Sequence, residues 1–245
     1  MTDVLLKDII YQRIKESIVN GIFPMGSKLS ETVIEEKLHA NRAPVRDALK
    51  RLEAEHLVER IPKKGTFVFS LDYEKLDKLL TFRYFIESHS LALSLCNNRD
   101  SLIQGLGTIM DKMSIVINQE NIYGYLEADA NFHHLLVSHC NNPYFQVCYE
   151  NIYPFMNTVR NYLGSNHTHV IHSHEQHSQL FNAICEGNLK KSLEILRGHI
   201  LPRYGAYWSI LGTIDKHAKV NNELSALKTA ESTLEDDMLT VVKEK

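Results

Sequence analysis

The sequence predicts a mostly α-helical chain in two parts: a small helical domain carrying one β-hairpin, then an all-α, antiparallel bundle of six helices. Three observations predict it. Apolar residues recur at helical spacing through most of the 245 residues. Two short β-prone runs, Leu57–Ile61 and Thr66–Phe69, flank the turn signal Pro62-Lys-Lys-Gly65. Beyond Ser70-Leu71-Asp72 there is no strand signal, only amphipathic pattern broken by Asn, Gly and Pro.

Residues 5–20 form the first expected helix, with Ile9, Ile10, Ile14 and Ile18 at helical spacing and Gly21 closing it. Ser30 caps a second, which carries Glu31 in its first turn and turns Val33, Ile34 and Leu38 inward; His39-Ala40 ends it. Asn41 caps a third. Pro44 sits in its first turn, where a missing N–H does little harm, and Val45, Ala48, Leu49 and Leu52 form its apolar stripe. Helix, helix, turn, helix and hairpin, in that order, make a winged helix-turn-helix over residues 1–70. Six further helices are expected over 73–95, 99–118, 121–140, 143–163, 172–186 and 189–212, giving an all-helical domain over 71–213. Residues 214–245 turn polar and read as a surface helix or a disordered tail.

Composition excludes several classes. Hydrophobic residues at 44% and charged residues at 23% are a globular balance. No run approaches the ~20 consecutive apolar residues of a membrane span, and the N-terminus lacks a basic region followed by an apolar core. Cys96, Cys140, Cys148 and Cys185 stand far apart, without the paired spacing of a zinc knuckle or disulfide framework. A cytoplasmic protein with no membrane partner is expected. The first 70 residues hold 12 Lys/Arg against 10 Asp/Glu and the rest 15 against 20, so the two parts suit different partners.

Arg42, Arg46 and Lys50 are spaced i, i+4, i+8 and share one face of the third helix, away from its apolar stripe. Asn41 and Arg42 stand at its tip, the end that a recognition helix puts into the major groove, where arginine bonds guanine bidentately. Lys63 and Lys64 occupy the wing tip, and Gly65 allows close backbone approach to phosphate. One such side chain alone is an ordinary solvated cation. Together, on a recognition helix and a wing, they point to double-stranded operator DNA read by a homodimer at paired half-sites.

These residues also carry a resemblance. Ser30-Glu-Thr-Val-Ile-Glu-Glu-Lys-Leu38, Asn41-Arg-Ala-Pro-Val-Arg-Asp-Ala-Leu-Lys-Arg-Leu-Glu-Ala-Glu55, Leu57-Val-Glu-Arg60 and Gly65-Thr-Phe-Val68 resemble the GntR family of bacterial transcription regulators over most of residues 9–70. The resemblance implies DNA contact by Asn41, Arg42, Arg46 and Gly65. Asn41 replaces the usual Ser or Thr, Ala43 the usual Thr, and Thr32 an arginine of several relatives; these departures bear on which operator is read.

Nine of the 13 histidines fall between His133 and His199. Asp129 and His133 are i, i+4 on a face shared with Leu126 and Leu136/Val137; His177 shares a face with Leu180, Phe181 and Ile184; His199 lies beside Leu196 and Ile200. One carboxylate and three imidazoles turned inward suit a divalent transition metal, and equally describe satisfied core histidines. His134 lies about 100° of helical phase from His133 and faces elsewhere. His167-x-His169-x-x-His172-x-His174 reads as a polar loop.

Asp129-Ala-Asn-Phe-His133, Glu175-Gln-His177 and His199 resemble the FCD effector domain of FadR-type GntR proteins. That resemblance implies a metal held by Asp129, His133, His177 and His199, zinc or nickel on the imidazole-rich donor set. Arg83 and Glu87 resemble the family's Arg-x-x-x-Glu, which implies an arginine that meets an acidic effector; by spacing alone the two are a surface ion pair. The expectation is a sequence-specific transcriptional regulator, repressor or activator, governed by a small carboxylate effector bound at the metal, and not an enzyme. The alternatives are a metal-dependent enzyme using the Asp/His set and a metal-free acyl-ligand sensor.

Overall fold

The computed structural model describes residues 2–163 and 167–201. The C-terminal part of the last expected helix, 202–212, and the polar segment 214–245 lie outside the described residues. The chain divides into two compact units, one formed by Met1–Asp72 with Asn151–Tyr162 and one by Tyr73–Glu150 with Leu163–Lys245.

The first unit contains α1 (Thr2–Val19), β1 (Lys28–Leu29), α2 (Glu31–Leu38), α3 (Arg42–Ala54), β2 (Val58–Ile61) and β3 (Gly65–Val68). Ile10, Ile14 and Ile18 of α1 and Val45, Ala48, Leu49 and Leu52 of α3 are buried in one core with Ile34, Leu57 and Val68. Ile9 and Val33, expected inward, lie 45% and 43% exposed, because each sits one residue out of phase with the buried stripe of its helix. The sheet order is β1-β3-β2, antiparallel, with Val58 opposite Val68 and Leu29 opposite Thr66. The two-residue β1 was not anticipated, being too short to show an alternating pattern. Gly65 takes φ +115°, a conformation that side-chain-bearing residues rarely adopt, and so closes the wing turn. Asn151–Tyr162 completes this unit: Phe155 packs edge-on against Phe69 at 4.8 Å, and Asn161 donates to the Val19 carbonyl at 2.9 Å.

The second unit is helical throughout its described residues. It comprises α4 (Tyr73–Asn97), α5 (Arg99–Asn118), α6 (Ile122–Ser138), the first part of α7 (Pro143–Leu163), α8 (His167–Cys185) and α9 (Leu189–Ile200). Leu80, Leu91, Leu102, Leu106, Phe132, Leu136, Leu180, Ile184 and Leu196 fill its core. At Gly105 a Cβ would stand 2.7 Å from Leu135 Cδ2, so the missing side chain permits the close approach of α5 to α6. Asn121 and Asn188 cap α6 and α9 through their side chains, accepting from Gly124 N and Lys191 N. Ser30 and Asn41 occupy N-cap positions without a side-chain capping bond. The stretch His167–His174, expected as a loop, is the beginning of α8. Among the described residues no helix is long and apolar enough to cross a membrane.

Candidate metal centre and nucleic-acid interface

Helical phase brings Asp129 and His133 of α6, His177 of α8 and His199 of α9 to one point inside the second unit. All four are buried, and one ligand atom of each lies within 4.8 Å of the others. His133 Nε2 is 3.0 Å from His199 Nε2 and 3.1 Å from His177 Nε2, and His177 Nε2 is 3.5 Å from Asp129 Oδ1.

The opposite nitrogen of each ring fixes its tautomer. His133 Nδ1 lies 2.7 Å from Glu87 Oε2, His177 Nδ1 2.8 Å from the Ser173 carbonyl, and His199 Nδ1 3.0 Å from Gln176 Oε1. Each of those partners accepts, so each Nδ1 carries the hydrogen and donates it. Burial opposes protonation and pushes His177 down to about 3; His133 and Arg83 add to that against the pull of Asp129. His199 is held well below the ordinary histidine range by burial and by its two histidine neighbours. His133 is lowered by burial and then by Arg83, against Glu87. Three neutral rings donating through Nδ1 thus turn Nε2 lone pairs inward, with His133 Nε2 3.0 Å from that of His199 and 3.1 Å from that of His177. Such an arrangement is repulsive unless a shared electrophile sits among the lone pairs. Two nitrogens each ~2.0–2.1 Å from one ion can span that separation, so the donor set fits a divalent transition metal.

Arg83 and Glu87 are not the surface pair that spacing alone allows. Their side chains are 1% and 0% exposed, with Arg83 Nε donating to Glu87 Oε1 at 2.6 Å. Burial would raise Glu87, but the Arg83 charge and His133 hold it at about 2, so it is ionised. Tyr149 Oη donates to the same Oε1 at 3.1 Å, and the positive charge of Arg83 reaches all three histidines. Around Asp129, Tyr125 Oη donates to Ser173 Oγ at 2.9 Å, and Ser173 Oγ lies 3.4 Å from Asp129 Oδ1. Tyr125, Tyr149, Ser173 and Gln176 were missed in the sequence. Tyr125 precedes Asp129 by four residues and Ser173 precedes His177 by four, so helical phase contained the signal for these two. Nothing local marks Tyr149 or Gln176.

The remaining histidines lie outside the donor set. His134 faces outward and pairs with Glu150 at 2.7 Å. His172 is exposed near Glu175, while His169 is buried on α8 with its protonation disfavoured by burial.

In the first unit, Asn41, Arg42, Arg46 and Lys50 lie exposed along α3, and Lys63, Lys64 and Gly65 are exposed at the wing tip. Arg42 and Arg46 share a partner, with Nε atoms 3.2 and 3.0 Å from Glu31 Oε2.

Residues 6–68 match the family model "Bacterial regulatory proteins, gntR family", and residues 78–201 match "FCD domain". The chain is 24% identical over 214 residues to the gluconate operon transcriptional repressor of Bacillus subtilis (strain 168), covering 84% of this chain and 88% of that protein. It is 25% identical over 127 residues to the HTH-type transcriptional repressor RspR of Escherichia coli (strain K12), covering 52% and 56%. The solved structure of E. coli McbR/YncC superposes with a TM-score of 0.70 at 19% identity, over 85% of this chain and 98% of that one, a likeness of fold.

Proposed function

We propose, given that this chain belongs to the GntR family of bacterial regulatory proteins and carries an FCD domain, that it is a repressor whose operator affinity responds to a small carboxylate bound at a metal centre. DNA-binding transcriptional regulation is the function of its family. In this reading Asp129, His133, His177 and His199 hold a divalent zinc or nickel ion, which supplies an open coordination position for an oxygen ligand. Arg83, ion-paired with Glu87, is the residue that meets the bound carboxylate in this reading. The B. subtilis relative is named for a gluconate operon, and gluconate is a hydroxy acid, so hydroxy acids are the first ligands to test. Asn41, Arg42, Arg46 and Lys50 read the major groove, while Lys63, Lys64 and Gly65 meet the backbone beside it. The protein works in the cytoplasm as a homodimer; a monomer by light scattering at micromolar concentration, with and without operator, contradicts that.

The observation that carries the metal reading is the convergence of three buried Nε2 atoms, those of His199 and His177 lying 3.0 and 3.1 Å from that of His133, each ring with its Nδ1 on an acceptor. Elemental analysis tests it. Wild-type protein is expected to carry close to one divalent ion per chain and His177→Ala to lose most of it. His134→Ala, altered on the outward face of α6, keeps it. Equal metal content in wild type and His177→Ala removes the site.

A further inference from the structure

Glu31 opens α2, and a single oxygen of its carboxylate accepts from two arginines of α3: Arg42 Nε at 3.2 Å and Arg46 Nε at 3.0 Å. The carboxylate is 26% exposed, the arginines 65% and 53%. Partial burial opposes the charge on Glu31, yet the two guanidinium groups hold its carboxyl below the usual range. Arg42 and Arg46 are i, i+4 neighbours of like charge, an arrangement that is repulsive on a bare helix. A shared anion between them removes the repulsion and fixes their spacing.

The geometry also selects which edge of each guanidinium remains. Arginine meets a guanine through two N–H groups, either the terminal Nη pair or one Nη with Nε. Both Nε–H groups are committed to Glu31, which leaves the terminal Nη pair of each guanidinium as the edge that does not involve Nε. Phosphate competes for the same arginines without regard to sequence.

We propose that Glu31 is a positioning residue for operator recognition: it presents Arg42 and Arg46 terminal-edge first and withholds their Nε edges from phosphate, so that it sets discrimination between sequences. This rests on the reading of Arg42 and Arg46 as base-contacting residues.

The test uses the full metal-loaded chain and fluorescence anisotropy over a salt series. The probes are a duplex enriched by the wild-type protein from randomised DNA and a scrambled duplex of equal length and composition. Glu31→Gln is expected to raise affinity for the scrambled duplex and steepen its salt dependence by about one phosphate contact. The ratio of enriched to scrambled affinity falls roughly 10-fold, the lower part of what bidentate base contacts supply. Glu36→Gln removes the same charge from an exposed position of α2 and is expected to raise both affinities alike. Glu31→Asp keeps the charge but shortens the reach to the two Nε atoms; it too lowers the ratio, which separates positioning from net charge. Wild-type ratios in both Glu31 variants overturn the proposal. Arg46→Ala separates the two failures. Unchanged binding of the enriched duplex by that variant overturns the recognition-helix reading and the Glu31 role with it. Lost binding by Arg46→Ala, together with wild-type ratios in the Glu31 variants, overturns the Glu31 role alone.

Discussion

Glu87 accepts from Arg83, Tyr149 and His133 while fully buried, and this crowding explains how a carboxylate survives inside a helical bundle. A buried charge without a partner is strongly disfavoured; here Arg83 neutralises it, and the spare oxygen holds His133 with its Nε2 toward His177 and His199. Partners of this kind make an imidazole more basic toward a metal and hold its ring in place. Glu87→Gln keeps an acceptor near His133 Nδ1 but removes the charge. Its metal affinity is expected to fall ~10–100-fold, measured by competition with a chromogenic chelator. An unchanged affinity assigns Glu87 to Arg83 alone. The convergence of Asp129, His133, His177 and His199 was legible in the sequence because each sits at helical spacing from buried apolar neighbours. The burial of Arg83 and Glu87 was not, since an i, i+4 Arg/Glu pair looks the same on a surface and in a core until the flanking helices are placed.

Among the elements, legibility followed periodicity. The stripe Val45, Ala48, Leu49 and Leu52 marks α3 unambiguously, and all four side chains are buried. By contrast, α8 begins at His167, where composition suggested a loop, because alternating polar residues hide the phase of the buried His169, Val170 and Ser173. The strand β1 has only Lys28 and Leu29, and its pairing with β3 is a tertiary event. The recognition face of α3 carries its own prediction. Arg46 is 53% exposed, so Arg46→Ala is expected to leave the helix intact while removing the proposed base contact, worth ~1–3 kcal/mol of discrimination. Operator affinity is expected to fall at least 10-fold at fixed salt, with far-UV circular dichroism and metal content unchanged. Wild-type affinity at the same salt contradicts the assignment of that face.

For the whole molecule, the three inward histidines tie folding to pH and, through the proposed site, to metal. His177 titrates at about 3 in the folded chain against an ordinary 6.5, and His133 and His199 are lowered as well. Between those limits the unfolded chain binds more protons than the folded one, so the slope of unfolding free energy with pH is positive and stability falls on acidification. His177 contributes up to ~1.4 kcal/mol per pH unit over that window, and His133 and His199 act in the same direction. Glu87, held at about 2 against 4.5, acts in the same direction below pH 4.5, where the unfolded carboxylate takes a proton that the folded one refuses. A metal that binds only the folded chain adds stability at neutral pH, ~2.7 kcal/mol at a free concentration 100 times its dissociation constant. It is lost in acid as protons compete for the imidazoles. Chelator-treated protein is therefore expected to unfold at lower denaturant than metal-loaded protein at pH 7.5. Its midpoint should fall further as pH drops to 5.5, and the two curves should converge as acid releases the ion. His177→Ala, with one buried imidazole removed, should show a shallower pH dependence in chelator than wild type. A chelated wild-type midpoint that stays level or rises from pH 7.5 to 5.5 contradicts neutral histidines at the centre, and with them the lone pairs on which the metal assignment stands.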